Sequence, residues 1–154
     1  VRPVTIGRGR QPFEVAVLLA ALLSGLTLLA TGNRPASVTA GMPTSVQAIW
    51  EVGLILAGVI GLTGVSMPGT RLAASLGVEL CGVAALGTVT TMYAIALYAV
   101  SGSAAIAAGA FVASTALASW WRVAQIGLDL RRVTIAVEAG RVADVSLLVE
   151  RERP

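Results

Sequence analysis

The sequence predicts an all-α integral membrane protein, a bundle of four transmembrane helices followed by a short cytoplasmic C-terminal tail. Three observations predict it. Hydrophobic residues fill 56% of the 154 positions and charged residues 12%, with a mean hydropathy of +0.84, well outside the balance of a water-soluble domain. The apolar residues gather into four runs, each of about 20 residues or more, the length that crosses a hydrocarbon layer of ~30 Å. Most of the eleven arginines and eight acids lie outside or at the ends of those runs.

The first eleven residues form a basic arm with Arg2, Arg8 and Arg10 and no acid. A first span follows over 12–30, opened by Pro12, whose fixed φ and missing N–H suit a first helical turn. Its one charge is Glu14. Val38-Thr39-Ala40 has the small-residue look of a secretory cleavage site, but it lies well past the apolar run, so a retained anchor is the preferred reading. Residues 31–44 are rich in Gly, Pro, Ser, Thr and Asn and predict the longest polar loop.

The second span, 45–66, carries Trp50 and Glu51 in its opening turns and ends at a Pro-Gly turn, Pro68-Gly69. The third segment, 70–100, would reach about 46 Å if helical throughout. It therefore tilts, or it leaves its opening residues 71–79 at the inner interface. Ser101-Gly102-Ser103 links it tightly to the fourth span, 104–125, which has no charge before Arg122.

Residues 131–154 differ in character, with four of the eight acids and five of the eleven arginines. Val133, Ile135 and Val137 alternate with other residues, as do Val145, Leu147 and Val149 beyond a turn at Ala139-Gly140, which predicts a β-hairpin. An amphipathic helix through Val142, Val145, Leu148 and Val149 is the alternative. The organisation is a basic arm (1–11), a four-helix membrane domain (12–128) and a charged tail (129–154).

Arginine placement sets the expected topology. Arg2, Arg8, Arg10, Arg71, Arg122, Arg131 and Arg132 fall on one side and Arg34 on the other, so by the positive-inside rule both termini face the cytoplasm of a cell (inner) membrane. Trp50 and Tyr98 are expected at the outer interface. Phe13, Trp120, Trp121 and Arg122 are expected as anchors at the inner one. Arginine as the sole basic residue type, with Val1 where Met is expected, points to a GC-rich bacterial or phage gene.

Helices in lipid associate through close packing and interhelical hydrogen bonds, because lipid tails are as apolar as leucine. Small residues four apart predict the packing faces: Gly53, Ala57 and Gly61 in the second run, Gly77, Cys81 and Ala85 in the third, Ala105, Gly109 and Ala113 in the fourth. These faces serve either one four-helix bundle or assembly into a larger oligomer.

Acids inside apolar runs are candidate functional groups, since an ionised carboxylate at the bilayer centre costs about 2.5–3.5 kcal/mol on the insertion scale. Glu79, beside the longest charge-free stretch, is the first candidate for carrying a proton, and Glu51 the second. Glu14 reads as a solvated anchor near Arg10.

Enzymatic chemistry is not expected. The chain has no histidine or lysine, one cysteine (Cys81), no GxSxG turn and no acid pair at metal-ligand spacing. No metal or cofactor is implied, and the scattered arginines do not form a phosphate-tracking stripe for nucleic acid. The expected partners are the lipid bilayer and a second copy or another membrane protein. The layout resembles that of small multidrug exporters, which also have four short helices and a glutamate in the first, although theirs lies deep and Glu14 stands at the helix start. It also resembles phage holins in size, charged tail and lack of catalytic residues. The expected function is non-enzymatic: holin-like permeabilisation through assembly of Gly/Ala faces, ion conduction or transport through Glu79 and Glu51, or a scaffold docking a partner through its tail.

Overall fold

A computed structural model describes residues 12–67 and 72–138. It contains five α-helices: α1 (Pro12–Thr31), α2 (Ala36–Gly41), α3 (Thr44–Ser66), α4 (Leu72–Ser101) and α5 (Ile106–Glu138), with a 3-10 turn at Gly102–Ala105 between the last two. No strand occurs among the described residues.

Three helical stretches are long and apolar enough to cross a membrane, namely Pro12–Thr31, Thr44–Ser66 and Ala73–Ile135. The third is not one rod, which at 1.5 Å per residue would be about 95 Å long. Its halves fold back on each other, with Tyr98 covering Gly109 and Arg122 reaching Glu79. Four long helices result, neighbours in the order α1, α3, α4, α5. Each runs antiparallel to the next, as the pairings Gly25 with Ile55, Gly58 with Leu22, Gly53 with Val89 and Gly64 with Glu79 require.

The helix ends follow from local chemistry. Gly32 (φ +66°) closes α1 in the left-handed conformation that glycine adopts without strain, and its N–H donates to the Leu28 carbonyl at 2.8 Å. Gly102 (φ +50°) turns the chain between α4 and α5 in the same way. Pro35 and Pro43 stand at the N-caps of α2 and α3. Their carbonyls accept from the N–H groups of Thr39 and Gln47, and a proline has no N–H to leave unpaired.

The centre of the bundle is α3, whose buried positions Trp50, Leu54, Ala57, Gly61 and Gly64 recur every three or four residues. Towards α1, a Cβ on Gly58 would stand 2.5 Å from Leu22 Cβ and 2.8 Å from the Leu18 carbonyl oxygen. Towards α4, a Cβ on Gly82 would strike the backbone of Gly61, and one on Gly64 the backbone of Glu79. Backbone therefore meets backbone along α3 and α4, the approach that small residues permit and that gains dispersion energy where no hydrophobic drive separates protein from lipid.

The predicted packing faces divide. Gly53, Ala57 and Gly61 are consumed inside the bundle, and Gly109 and Ala105 lie inside the α4–α5 hairpin, with Ala113 half-buried beside them. In the α4 face, Ala85 packs against the core, whereas Gly77 has nothing within 4 Å of its Cβ position and Cys81 is exposed.

Two elements differ from the sequence expectation. The loop 31–44 contains α2, a short helix that lays Gly41 against Ala96 and Val100 and buries Val38 completely. Val133, Ile135 and Val137 belong to α5 and not to a strand. Ile126, Leu130, Val133 and Val137 are also spaced at three and four, and a run this short cannot distinguish the two periods. The second half of the expected hairpin, Val145 to Val149, lies outside the described residues, as do the basic arm and Arg71.

Candidate functional site

Two ionic clusters stand at opposite ends of the bundle. At one end α1, α4 and α5 each contribute a charged side chain. Arg122 on α5 donates from Nη2 to Glu79 Oε1 at 2.6 Å. Its Nε lies 3.1 Å from Glu14 Oε2, but the N–H is not aimed at that oxygen and makes no hydrogen bond. The contact with Glu14 is an ion pair. Glu14 and Glu79 are also neighbours of each other.

The side chains of this cluster retain 13% (Glu14), 9% (Glu79) and 26% (Arg122) of their exposure. Glu14 Oε1 is fully covered and has no hydrogen-bond partner. Ser75, one turn before Glu79, donates to the Gly64 carbonyl at 2.8 Å and ties the start of α4 to the end of α3. Beside this end of the bundle an open groove of about 470 Å³ runs between α1 and α3, lined by Val15, Leu62, Thr63, Val65 and Ser66.

At the other end Arg34, in the link between α1 and α2, clasps Glu51 on α3 with two hydrogen bonds, Nε to Oε1 at 2.5 Å and Nη2 to Oε2 at 3.2 Å. A planar guanidinium facing a carboxylate in this way is the strongest common form of ion pair. The hydrogen bond to Glu51 raises the Arg34 guanidinium above its already high pKa, so it is a permanent cation. Gln47 Nε2 donates to the Met42 carbonyl at 2.7 Å, and Trp50 Nε1 donates to the Val89 carbonyl at 3.1 Å. Together they fasten the α2 segment to α3 and α3 to α4.

Thirteen residues of α3 separate Glu51 from Gly64, which packs on the Glu79 backbone. At 1.5 Å per residue the two clusters are about 20 Å apart along the bundle axis.

The structure relocates several predicted residues. Trp50 is not an interface anchor: it is 4% exposed, hydrogen-bonded to Val89 and packed 5.5 Å from the Tyr93 ring. Its indole N–H finds a partner inside the bundle, so it has no need of the interface. Arg122 is a bridge between two acids rather than a free anchor. Glu51 is a buried ion-pair partner of Arg34, and Glu14 joins the Glu79 cluster rather than standing as a solvated charge. Trp120 and Trp121 are exposed, at 44% and 70%, and Trp120 Nε1 also donates to Thr91 Oγ1 at 3.2 Å.

Sequence reasoning missed the link from Glu14 to Arg122 and the role of Arg34. A signal for both was present. The apolar runs carry Glu14, Glu51, Glu79 and Arg122, and each charge in such a run needs a counter-charge. Comparison of the chain with protein-family models, with curated proteins and with solved structures returned no match.

Proposed function

We propose that the chain is a non-enzymatic, multi-pass subunit of the cell (inner) membrane, with both termini cytoplasmic, that handles ions through the Glu14–Arg122–Glu79 cluster. The observation that carries this reading is the cluster's composition. Two carboxyl groups share one guanidinium among apolar helices, and one carboxyl oxygen is covered and unbonded. Buried charges in membrane helices are costly and mark ion or proton pathways when they are not purely structural.

Depth supports the same reading. The clusters are about 20 Å apart along the axis, while a typical hydrocarbon core is ~30 Å thick. A hydrocarbon core centred on the bundle would take in both clusters, and pairing with arginine would make such charges tolerable there. The outward faces carry many large apolar side chains, among them the exposed Leu23, Ile49, Phe111 and Leu117, as a lipid-facing surface would.

The test is ion flux in proteoliposomes. Wild-type protein is expected to give a pH-dependent flux that Glu79→Gln abolishes while helical content is unchanged. Equal flux through the variant would overturn the reading.

A second reading, self-association into a permeabilising, holin-like assembly, draws on the α4 face with Gly77, Cys81 and Thr88, which the bundle leaves open. The hydroxyls of Thr63, Thr88 and Thr115, which would line a water-filled gap in such an assembly, donate to the carbonyls of Val59, Ala84 and Phe111. Oxidative cross-linking through Cys81, together with abrupt loss of membrane potential on expression, would favour this reading over ion handling by the single bundle. Docking of a partner through the tail, 129–154, rests mostly on residues outside those described, since only 129–138, the end of α5, are among them.

A further inference from the structure

We propose that the cluster binds one exchangeable proton and that Glu14, not Glu79, is the group that takes it up. This rests on the ion-handling reading above and names its ion and its acceptor.

The charge balance comes first. With both acids ionised the cluster carries two negative charges against one positive, and no other titratable group faces it among the described residues. From α4 comes Glu79 and from α5 Arg122. The adjoining end of α3 offers Gly61, Gly64 and Val65, and its two hydroxyls, Thr63 and Ser66, donate to the carbonyls of Val59 and Thr63. An uncompensated negative charge among apolar helices is costly. One proton removes it and leaves the cluster neutral.

Hydrogen-bond geometry selects the acceptor. Arg122 aims an N–H at Glu79, a directed charge-assisted bond that already engages that carboxyl group. Towards Glu14 it directs none, and Glu14 Oε1 is buried with an unused acceptor position. A proton transferred there from hydronium, which leaves as water, forms a Glu14 O–H. That group can donate to the adjacent Glu79 carboxylate. The covered oxygen is thereby satisfied, and Glu79 keeps its hydrogen bond from Arg122. Glu79 and Arg122 are then positioning residues. A metal cation is disfavoured, because hard cations need several oxygen ligands and no group of three or more His, Cys, Asp or Glu gathers among the described residues.

The experiment is infrared difference spectroscopy of full-length protein in liposomes, stepped in pH and repeated in D2O to identify protonated carboxyl groups. Wild type is expected to show one protonated-carboxyl band assignable to this cluster. Glu14→Gln should abolish it, as should Glu79→Gln, which leaves a single acid against Arg122; Glu14→Asp should retain it at a shifted frequency and Glu79→Asp should leave it unshifted. Retention of the band in Glu14→Gln, or a shift in Glu79→Asp with none in Glu14→Asp, would overturn the assignment, as would the absence of any protonated-carboxyl band. If Glu14→Gln fails to fold, the Glu14→Asp shift decides alone: an unshifted band refutes the assignment. Flux is read separately. A Glu14 band without flux defeats ion handling and keeps the proton site, whereas flux with no Glu14 band defeats the proton site and keeps ion handling.

Discussion

Replacing Arg122 with methionine removes the one cation that two buried acids share, while keeping an unbranched side chain in its place. Glu79 and Glu14 retain only 9% and 13% of their side-chain exposure, so neither can recover full hydration. Breaking a buried ion pair by removing one partner costs about 3–5 kcal/mol, far more than the ~0–1 kcal/mol of an exposed pair. Arg122 itself is about one-quarter exposed, which places the expected loss near 3 kcal/mol, at the lower end of that range. The assay is reversible unfolding in mixed detergent–lipid micelles, followed by circular dichroism. A companion variant with Glu14→Gln, Glu79→Gln and Arg122→Met together should recover most of the loss, because neutral side chains of similar volume often replace a buried ionic group without penalty. A loss below about 1 kcal/mol for Arg122→Met alone would put the cluster in the solvated class and refute the argument from burial. Equal destabilisation by the single and triple variants would refute the argument from charge.

Three further outcomes are expected. Gly82→Ala should destabilise the bundle by about 1–3 kcal/mol, because its methyl strikes the Gly61 backbone. Gly77→Ala, with open space at its Cβ position, should be neutral or stabilise by up to about 1 kcal/mol through helix propensity; unfolding midpoints of opposite sign check the pair. Arg34→Ala should cost more than Glu51→Gln, because the first strands a carboxylate that is 4% exposed and the second leaves a guanidinium that is 30% exposed and can rehydrate. Limited proteolysis within 32–43 reads this as faster cleavage in Arg34→Ala. Trp50→Phe should lose about 0.5–1.5 kcal/mol with its hydrogen bond to Val89, measured by the same unfolding assay, and an unchanged midpoint would return Trp50 to a peripheral role.

Much of the candidate site was legible in the chain. Glu79 and Glu51 stood out because an acid within an apolar run is rare and costly. Their partners did not, because Arg122 lies 43 residues from Glu79 and Arg34 lies 17 from Glu51, and pairing across helices depends on how each helix is rotated about its axis. The same rotation took Trp50 from the expected interface into the core. Glu14 was misjudged for a related reason: its nearest visible counter-charge along the chain was Arg10, whereas the helices bring Arg122 from the opposite end of the sequence.

Composition and periodicity by themselves determined the long helices, their approximate bounds and the small residues that let them touch, since run length and local turn chemistry are properties of neighbouring residues. Gly32, Pro35, Pro43 and Gly102 act within a few residues of themselves and marked the connections, although the short helix between Pro35 and Pro43 went unread. Only the tertiary structure decided that Gly53, Ala57 and Gly61 are spent inside the bundle while Gly77 and Cys81 remain outside, and that α5 runs on to Glu138. It alone also gathered Glu14, Glu79 and Arg122 at one end. The physical reason is that a helix in an apolar setting has many nearly equivalent faces, and the choice among them is made by close backbone contacts and by the need of each buried charge for a partner from another helix.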